Sequence, residues 1–192
     1  MKKFPVVLHV ETKYTFREFS DPKKLEVTVA VLYDYKDHSL SSFFRQDLNK
    51  LFTILESASY LVGYNINSFD MQVLQAYYPG DVTHFKTFDI LEDIRKILGK
   101  RLALNDVVYA TLGKKKSGHG LQAIELYKEG KLEELKNYCM DDVRLTCELF
   151  DYGIKNNNIF YLNENGKAEI KVDWEKYIKE EKGNDMPLTL PF

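Results

Sequence analysis

An α/β sandwich around a mixed sheet is the fold this sequence predicts, on two observations: strand-like apolar runs come early in the chain, and helical spacings cluster later. Phe4 to Val10 is a short, β-branched apolar run, the pattern of a strand buried on both faces, and Glu11 falls near its C-terminal end. After a polar stretch from Thr12 to Lys24, Leu25 to Tyr35 alternates Val27, Val29, Val31 and Tyr33 as a second strand. Tyr35 to Ser39 reads as a turn, and Leu40 to Phe44 as a short returning strand. Asp47 to Glu56 places Leu48, Leu51, Phe52 and Leu55 at helical spacing, and Tyr60 to Tyr64 follows as another buried strand. Ser68 suits the N-cap of a helix through Tyr78, stopped by Pro79-Gly80, with Asp70 in its first turn. Thr87 to Leu98, Leu104 to Leu112 and Gln122 to Tyr127 read as further helices. The longest, Leu132 to about Tyr152, is closed by Gly153 as a C-terminal cap. Ile159 to Leu162 and Ala168 to Val172 flank Asn163-Glu164-Asn165-Gly166, a hairpin signal.

The chain has 192 residues, of which 44% are hydrophobic, so one domain with a real core is expected over residues 1–174. Residues 175–192 are charged, then Pro-containing, and read as a linker and flexible tail. A net charge of -2 argues against a polybasic binder but leaves room for nucleic acid held by a local basic strip and metal ions. No stretch approaches the roughly 20 apolar residues of a membrane span, and the Met-Lys-Lys start runs at once into a strand. A cytoplasmic protein with no membrane partner is therefore expected. Cys139 and Cys147 lie on one helix, about 12 Å of rise apart, too far for a disulfide.

Three acids stand out. Glu11 ends a buried strand, where ligand sites form in open α/β sheets. Asp70 lies in a first helical turn, and Tyr138 and Asp142 are spaced i, i+4 on one helix face. Each alone is ordinary: a solvated strand end, a capping carboxylate, a core tyrosine beside a surface acid. Together they make a candidate carboxylate cluster.

Val10-Glu11-Thr12 after a buried strand, Gly63-Tyr64-Asn65-Ile66-Asn67-Ser68-Phe69-Asp70, and Tyr138-Cys139-Met140-Asp141-Asp142 with the following Val143-Arg144-Leu145-Thr146 resemble the three exonuclease motifs of the ribonuclease H-like DEDD superfamily. The tyrosine four residues before the last aspartate resembles its DEDDy branch. The likeness spans Val6 to Gly153 and is nearest to the small ribonuclease H-like domains found beside DEAD/DEAH helicases or standing alone. It implies a ribonuclease H-like fold and a metal-dependent 3'-5' exonuclease working on single-stranded or frayed 3' ends. It also implies two divalent ions, Mg2+ or Mn2+, which suit hard oxygen ligands and together activate water and stabilise the leaving oxygen. By the same resemblance Glu11 and Asp142 would hold the nucleophile-side metal, Asp70 would act at the other through bound water, and Tyr138 would orient the attacking water. Thr12 and Asn65 would support nucleic-acid binding.

One departure matters most. The family pattern begins Asp-x-Glu, and this chain has His9-Val10-Glu11. Histidine offers one nitrogen lone pair at a time and no negative charge, so the ligand that would bridge two metals is missing. Three outcomes stay open: loss of Mg2+ chemistry, a shift of selectivity toward Mn2+, Co2+ or Zn2+ through the imidazole, or a histidine introduced to silence the protein. The alternative function is accordingly an inactive nucleic-acid-binding module serving a repair or helicase complex. A further alternative treats the acids as unrelated groups on a structural domain.

Gly113-Lys114-Lys115-Lys116-Ser117-Gly118-His119-Gly120 is the one concentrated basic loop. It is not a P-loop, because Val108 stands where a glycine is required and no buried strand leads in. Lys114, Lys115 and Lys116 are candidates for phosphate contact, and Lys100 with Arg101 would extend that surface. The tail ends Pro187-Leu188-Thr189-Leu190-Pro191-Phe192. It resembles the hexapeptide by which bacterial replication and repair proteins dock on the sliding clamp, with Leu188, Leu190 and Phe192 as anchors and Pro187 in place of the usual glutamine.

Overall fold

In the computed structural model, residues 2–115, 118, 121–179 and 181–182 are described. The chain opens with β1 (Lys2–Lys3), then β2 (Val6–Thr12), β3 (Val27–Asp34), β4 (Ser39–Phe44) and α1 (Leu48–Ser57). It continues through β5 (Leu61–Gly63), α2 (Asp70–Leu74), β6 (Thr87–Asp89), α3 (Ile90–Leu98), α4 (Leu104–Leu112), α5 (Gln122–Lys128) and α6 (Leu132–Asn156). A hairpin of β7 (Asn158–Asn163) and β8 (Gly166–Lys171) follows, and β9 (Glu181–Lys182) returns to pair with β1.

Five strands form one sheet in the order β4-β3-β2-β5-β6. The β4, β3 and β2 strands run antiparallel, whereas β2, β5 and β6 are parallel. The central strand β2 is therefore where the sheet changes sense, and the crevice beyond its carboxyl end is the favoured place for a ligand site. Alternation along β2 sends Val7 to one face and Val6, Leu8 and Val10 to the other. On the first face Val7, Val29, Val31 and Val62 pack against Val107 and Val108 of α4, Leu126 of α5, and Leu135, Val143 and Phe150 of α6. On the second, Val6, Leu8 and Val10 meet Leu51, Phe52 and Leu55 of α1 and Met71, Val73 and Leu74 of α2. This is the expected α/β architecture, a mixed sheet flanked by helices.

Three elements differ from expectation, each for a local reason. The stretch 87–98 is not one helix: Thr87–Asp89 pairs in parallel with Leu61–Gly63, and Asp89 then caps α3 by accepting from the Leu91 and Glu92 N–H groups. The helix expected from Ser68 to Tyr78 is only α2, preceded by Phe69 at the cap position and followed by tight turns, Ala76 N–H to Val73 C=O and Tyr77 N–H to Leu74 C=O. Gly153 does not end α6, which runs on to Asn156 and stops at Asn157 in the left-handed conformation, φ 55°. Gly153 is needed for a different reason, since a Cβ there would lie 2.2 Å from the ring of Trp174. That tryptophan is buried and donates its Nε1–H to Asp93 at 2.8 Å.

Within the segment expected as a linker, two contacts to the rest of the chain are described. Tyr177 stacks on Phe88 with ring centroids 3.9 Å apart, and Glu181–Lys182 pairs with Lys2–Lys3. Cys139 and Cys147 are buried and form no disulfide among the described residues. No helix among the described residues is long and apolar enough to cross a membrane.

Candidate functional site

Glu11 owes its position to an irregularity. The register of β2 against β3 slips between Glu11 and Thr12, so that Glu11 faces Val29 but Thr12 faces Val27. A bulge of this kind bends a strand end and re-aims the side chains beside it. His9 and Glu11 share the α6 side of β2. Thr12, just past the slip, is buried and donates its hydroxyl to the Tyr14 carbonyl at 2.9 Å.

Asp70 arrives from the β5–α2 connection. Gly63 lets that connection close over β2: a Cβ there would come within 2.8 Å of the Ile66 Cβ and 3.1 Å of the Leu8 carbonyl oxygen. Asn65 takes a left-handed backbone, φ 69°. Its N–H and that of Asn67 donate to the two carboxylate oxygens of Asp89 at 2.9 and 3.0 Å. Asp70 is 1% exposed, and its Oδ1 accepts from the Val10 N–H at 2.8 Å. Asp142 and Tyr138 come from α6, one turn apart and both buried.

These elements meet around His9. Its Nδ1 lies 3.1 Å from Asp70 Oδ1, and its Nε2 lies 3.3 Å from Glu11 Oε1 and 3.7 Å from Asp142 Oδ2. Both ring nitrogens face carboxylates, which accept but cannot donate when ionised, so the arrangement fits an imidazolium donating from both sides. Burial works against that charge, but the Asp70 carboxylate, joined by Glu11, outweighs it and holds His9 well above the ordinary histidine range. Burial likewise pushes the Asp70 carboxyl up, against the pull of His9 and the Val10 N–H. The imidazole thus stands among three acids in the manner of a bound cation.

Among the described residues, one group of donors could hold a metal ion. Donor atoms of His9, Glu11 and Asp142 all lie within 4.8 Å of one another. A nitrogen with two carboxylates suits Mn2+, Co2+ or Zn2+ better than Mg2+, provided His9 gives up its proton. Asp70 stands outside that group, with its Oδ1 taken by the Val10 N–H and His9. A cavity of about 160 Å³ opens beside the cluster, lined by Leu8, His9, Tyr64, Leu104, Asp142 and Thr146.

The other candidates are placed less centrally. Asn65 accepts from Arg101 Nη2 at 2.8 Å, and Tyr64 donates its hydroxyl to the Leu102 carbonyl, so two bonds tie the α3–α4 connection to the Asp70 loop. Lys114 pairs with Glu148 at 2.6 Å, and the Lys115 ammonium lies over the Tyr109 ring. Within the same loop, Gly118 sits against Tyr138, where a Cβ would come within 2.8 Å of the ring. Lys116 lies outside the described residues, as do Leu188, Leu190 and Phe192. The residue that sequence reasoning passed over is Asp89. An aspartate before an apolar helical run is an N-cap signal, but reading 87–98 as one helix hid it.

A family model of the RNase H superfamily matches residues 16–153. The chain belongs to the RNase H superfamily. Among solved structures, the family B DNA polymerase from the hyperthermophilic archaeon Pyrobaculum calidifontis is similar over 78% of this chain and 24% of its own, with a TM-score of 0.58 at 16% identity. The RNase D of Trypanosoma brucei is similar over 78% of this chain and 57% of its own, with a TM-score of 0.53 at 14% identity. At such identities the shared property is the fold, and the chain spans a quarter to somewhat over half of those proteins. No curated protein matches this member of the superfamily.

Proposed function

We propose that this RNase H superfamily domain is a metal-dependent 3'-5' exonuclease of the DEDDy type, acting on single-stranded or frayed ends. One observation carries the reading: His9, Glu11, Asp70 and Asp142 meet at the carboxyl end of the central strand although 60 to 130 residues separate the segments that bring them. The nuclease named among the similar structures supports the same class of chemistry.

In this reading His9, Glu11 and Asp142 would hold a divalent cation. A cation there supplies Lewis-acid stabilisation of a phosphoryl oxygen and lowers the pKa of water. The protein residues then have defined tasks. His9 must lose its proton before its Nε2 can act as a ligand, which couples metal affinity to pH. Asp70 holds the His9 ring through Nδ1 and so fixes which nitrogen faces Glu11 and Asp142. Tyr138, one helical turn before Asp142, orients the attacking water.

A second reading is favoured by the same histidine. With the imidazolium seated among the acids, their negative charge is already compensated, and the domain would bind nucleic acid without cutting it. A helicase complex and, through Leu188, Leu190 and Phe192, a sliding clamp are the partners proposed for either form. The two readings separate with a 3'-labelled oligonucleotide incubated in Mg2+, Mn2+ or EDTA. Cation-dependent release of labelled mononucleotide supports the exonuclease, whereas label retention with binding intact supports the module.

A further inference from the structure

A second concave site is built on the two chain segments that leave Glu11 and Asp70, and neither the family motifs nor the basic loop account for it. It is a groove of about 380 Å³ between the β2–β3 connection and the end of α2. Tyr14, Phe19 and Tyr77 supply its aromatic walls, and Lys23, Lys24 and Arg45 its cations. Glu26 is the one acid lining it, and that carboxylate is already bonded to Arg45 at 2.8 Å and within 3.9 Å of Lys13.

The aromatic walls are braced. Tyr14 and Phe19 meet edge to face with centroids 5.0 Å apart, the Lys13 ammonium lies 4.7 Å from the Tyr14 centroid, and the Arg45 guanidinium lies 5.5 Å from that of Tyr77. The Tyr77 hydroxyl accepts from the Val27 N–H, which fixes that ring to the sheet. Phe19 is nonetheless 38% exposed, an apolar face left to solvent in the groove that Lys23 and Lys24 also line. Cationic side chains interleaved with presented aromatic faces make the surface that single-stranded nucleic acid binds, because every base has a face to stack and every linkage a phosphate to pair.

Position strengthens the case. Tyr14 follows Glu11 by three residues, just past the end of β2, and Tyr77 follows Asp70 by seven, in the turns after α2. Both walls of the groove are therefore built on the two chain segments that carry Glu11 and Asp70. A groove of three cations against one acid has no charge complementarity with a basic or neutral segment, and its volume is that of a small-ligand site rather than of a helix-binding trough.

We propose that this groove is a nucleotide-binding subsite, holding a base on Phe19 and backbone phosphate on Lys23 and Lys24, a few nucleotides from the 3' end placed at the acid cluster. The proposal rests on the reading of the domain as a nuclease, or its non-cutting relative, that takes a single strand.

The test is equilibrium binding of the whole chain to fluorescein-labelled octamers of deoxythymidine and of uridine in EDTA, by anisotropy, so that cleavage plays no part. The Phe19→Ala variant is expected to weaken binding at least about fivefold, as befits loss of one stacked base. The Lys23→Gln, Lys24→Gln double variant is expected to weaken it about tenfold at low salt. It should also make the slope of log affinity against log salt shallower by about 1.4, from about 0.7 per single-strand phosphate contact. Lys36→Glu, an exposed substitution outside the groove, serves as the control for general charge and fold. If the wild type binds the octamers and these variants bind equally well with an unchanged salt slope, the groove is not the subsite and the nuclease reading survives. If an octaglutamate peptide binds through Phe19, Lys23 and Lys24 while the oligonucleotides do not need them, the proposal is overturned in favour of an acidic peptide. A wild type that binds neither octamer overturns the proposal together with the reading beneath it.

Discussion

Replacing His9 by aspartate tests the acid cluster most directly, because it reverses one charge at the centre of three. The His9 ring nitrogens lie 3.1, 3.3 and 3.7 Å from oxygens of Asp70, Glu11 and Asp142. Each such attraction becomes a repulsion of about 4 kcal/mol per pair at a separation of 4 Å and an effective dielectric of 20. Proton uptake by the acids relieves most of that sum, and breaking a buried ion pair by removing one partner typically costs about 3–5 kcal/mol. In EDTA the His9→Asp protein should therefore melt about 10 °C below the wild type, since one kcal/mol corresponds to about 2–4 °C at this chain length. A divalent cation reverses the loss. At a concentration 100 times its dissociation constant it returns about 2.7 kcal/mol, so Mg2+ should raise the variant's melting temperature by at least about 5 °C while moving the wild type little. In parallel, release of 3'-terminal label in Mg2+ should rise by at least about a hundredfold, within the several kcal/mol that Lewis-acid stabilisation supplies. Differential scanning fluorimetry with and without EDTA reads the first effect, and gel or mass analysis of a labelled oligonucleotide the second. A variant that melts within about 2 °C of the wild type in EDTA and ignores Mg2+ would falsify the assignment of this cluster as a cation site.

The metal-free protein should lose stability as pH rises above the ordinary histidine value. His9 binds its proton more tightly folded than unfolded, so its contribution is complete below about 6.5 and disappears as pH climbs through the raised folded value. The slope is at most about 1.4 kcal/mol per pH unit, and His9→Gln should flatten it in urea melts from pH 6 to 9 in EDTA. Asp89→Ala removes the acceptor for the Asn65, Asn67, Leu91 and Glu92 N–H groups and should cost about 2–3 kcal/mol in denaturant unfolding. An equal stability of that variant and the wild type would mean that the Asp70 loop is held by something else. Gly153→Ala drives a methyl into the Trp174 ring and should cost about 1–3 kcal/mol, with near-ultraviolet circular dichroism reporting the displaced indole.

Much of the fold was legible because it is locally encoded. The α4 helix occupies Leu104–Leu112 as its apolar spacing predicts, and the Asn165-Gly166 turn makes the expected hairpin between β7 and β8. The β6 strand was hidden because Thr87–Asp89 is too short to show a period of two, and it exists only by pairing with Leu61–Gly63. Gly153 read as a helix stop because a glycine near the end of a periodic run usually is one. Its actual requirement comes from Trp174, twenty-one residues further on. The aromatic and basic groove was not legible at all, since Tyr14, Phe19 and Tyr77 share no periodicity and are brought together by the close approach of two connections.

By itself the sequence determined which groups could bear chemistry: an acid closing a buried strand, another at the start of a helix, a Tyr–Asp pair one helical turn apart, and a histidine in an acid's place. Those are properties of neighbours along the chain, and local backbone periodicity is enough to express them. Only the tertiary structure decided that the histidine lies between the carboxylates, that the slip after Glu11 aims that residue toward Asp142, and that Asp89 holds the loop bearing Asp70. Charge–charge contacts across some sixty and a hundred and thirty residues depend on how the sheet and α6 pack, and no local pattern records a distance.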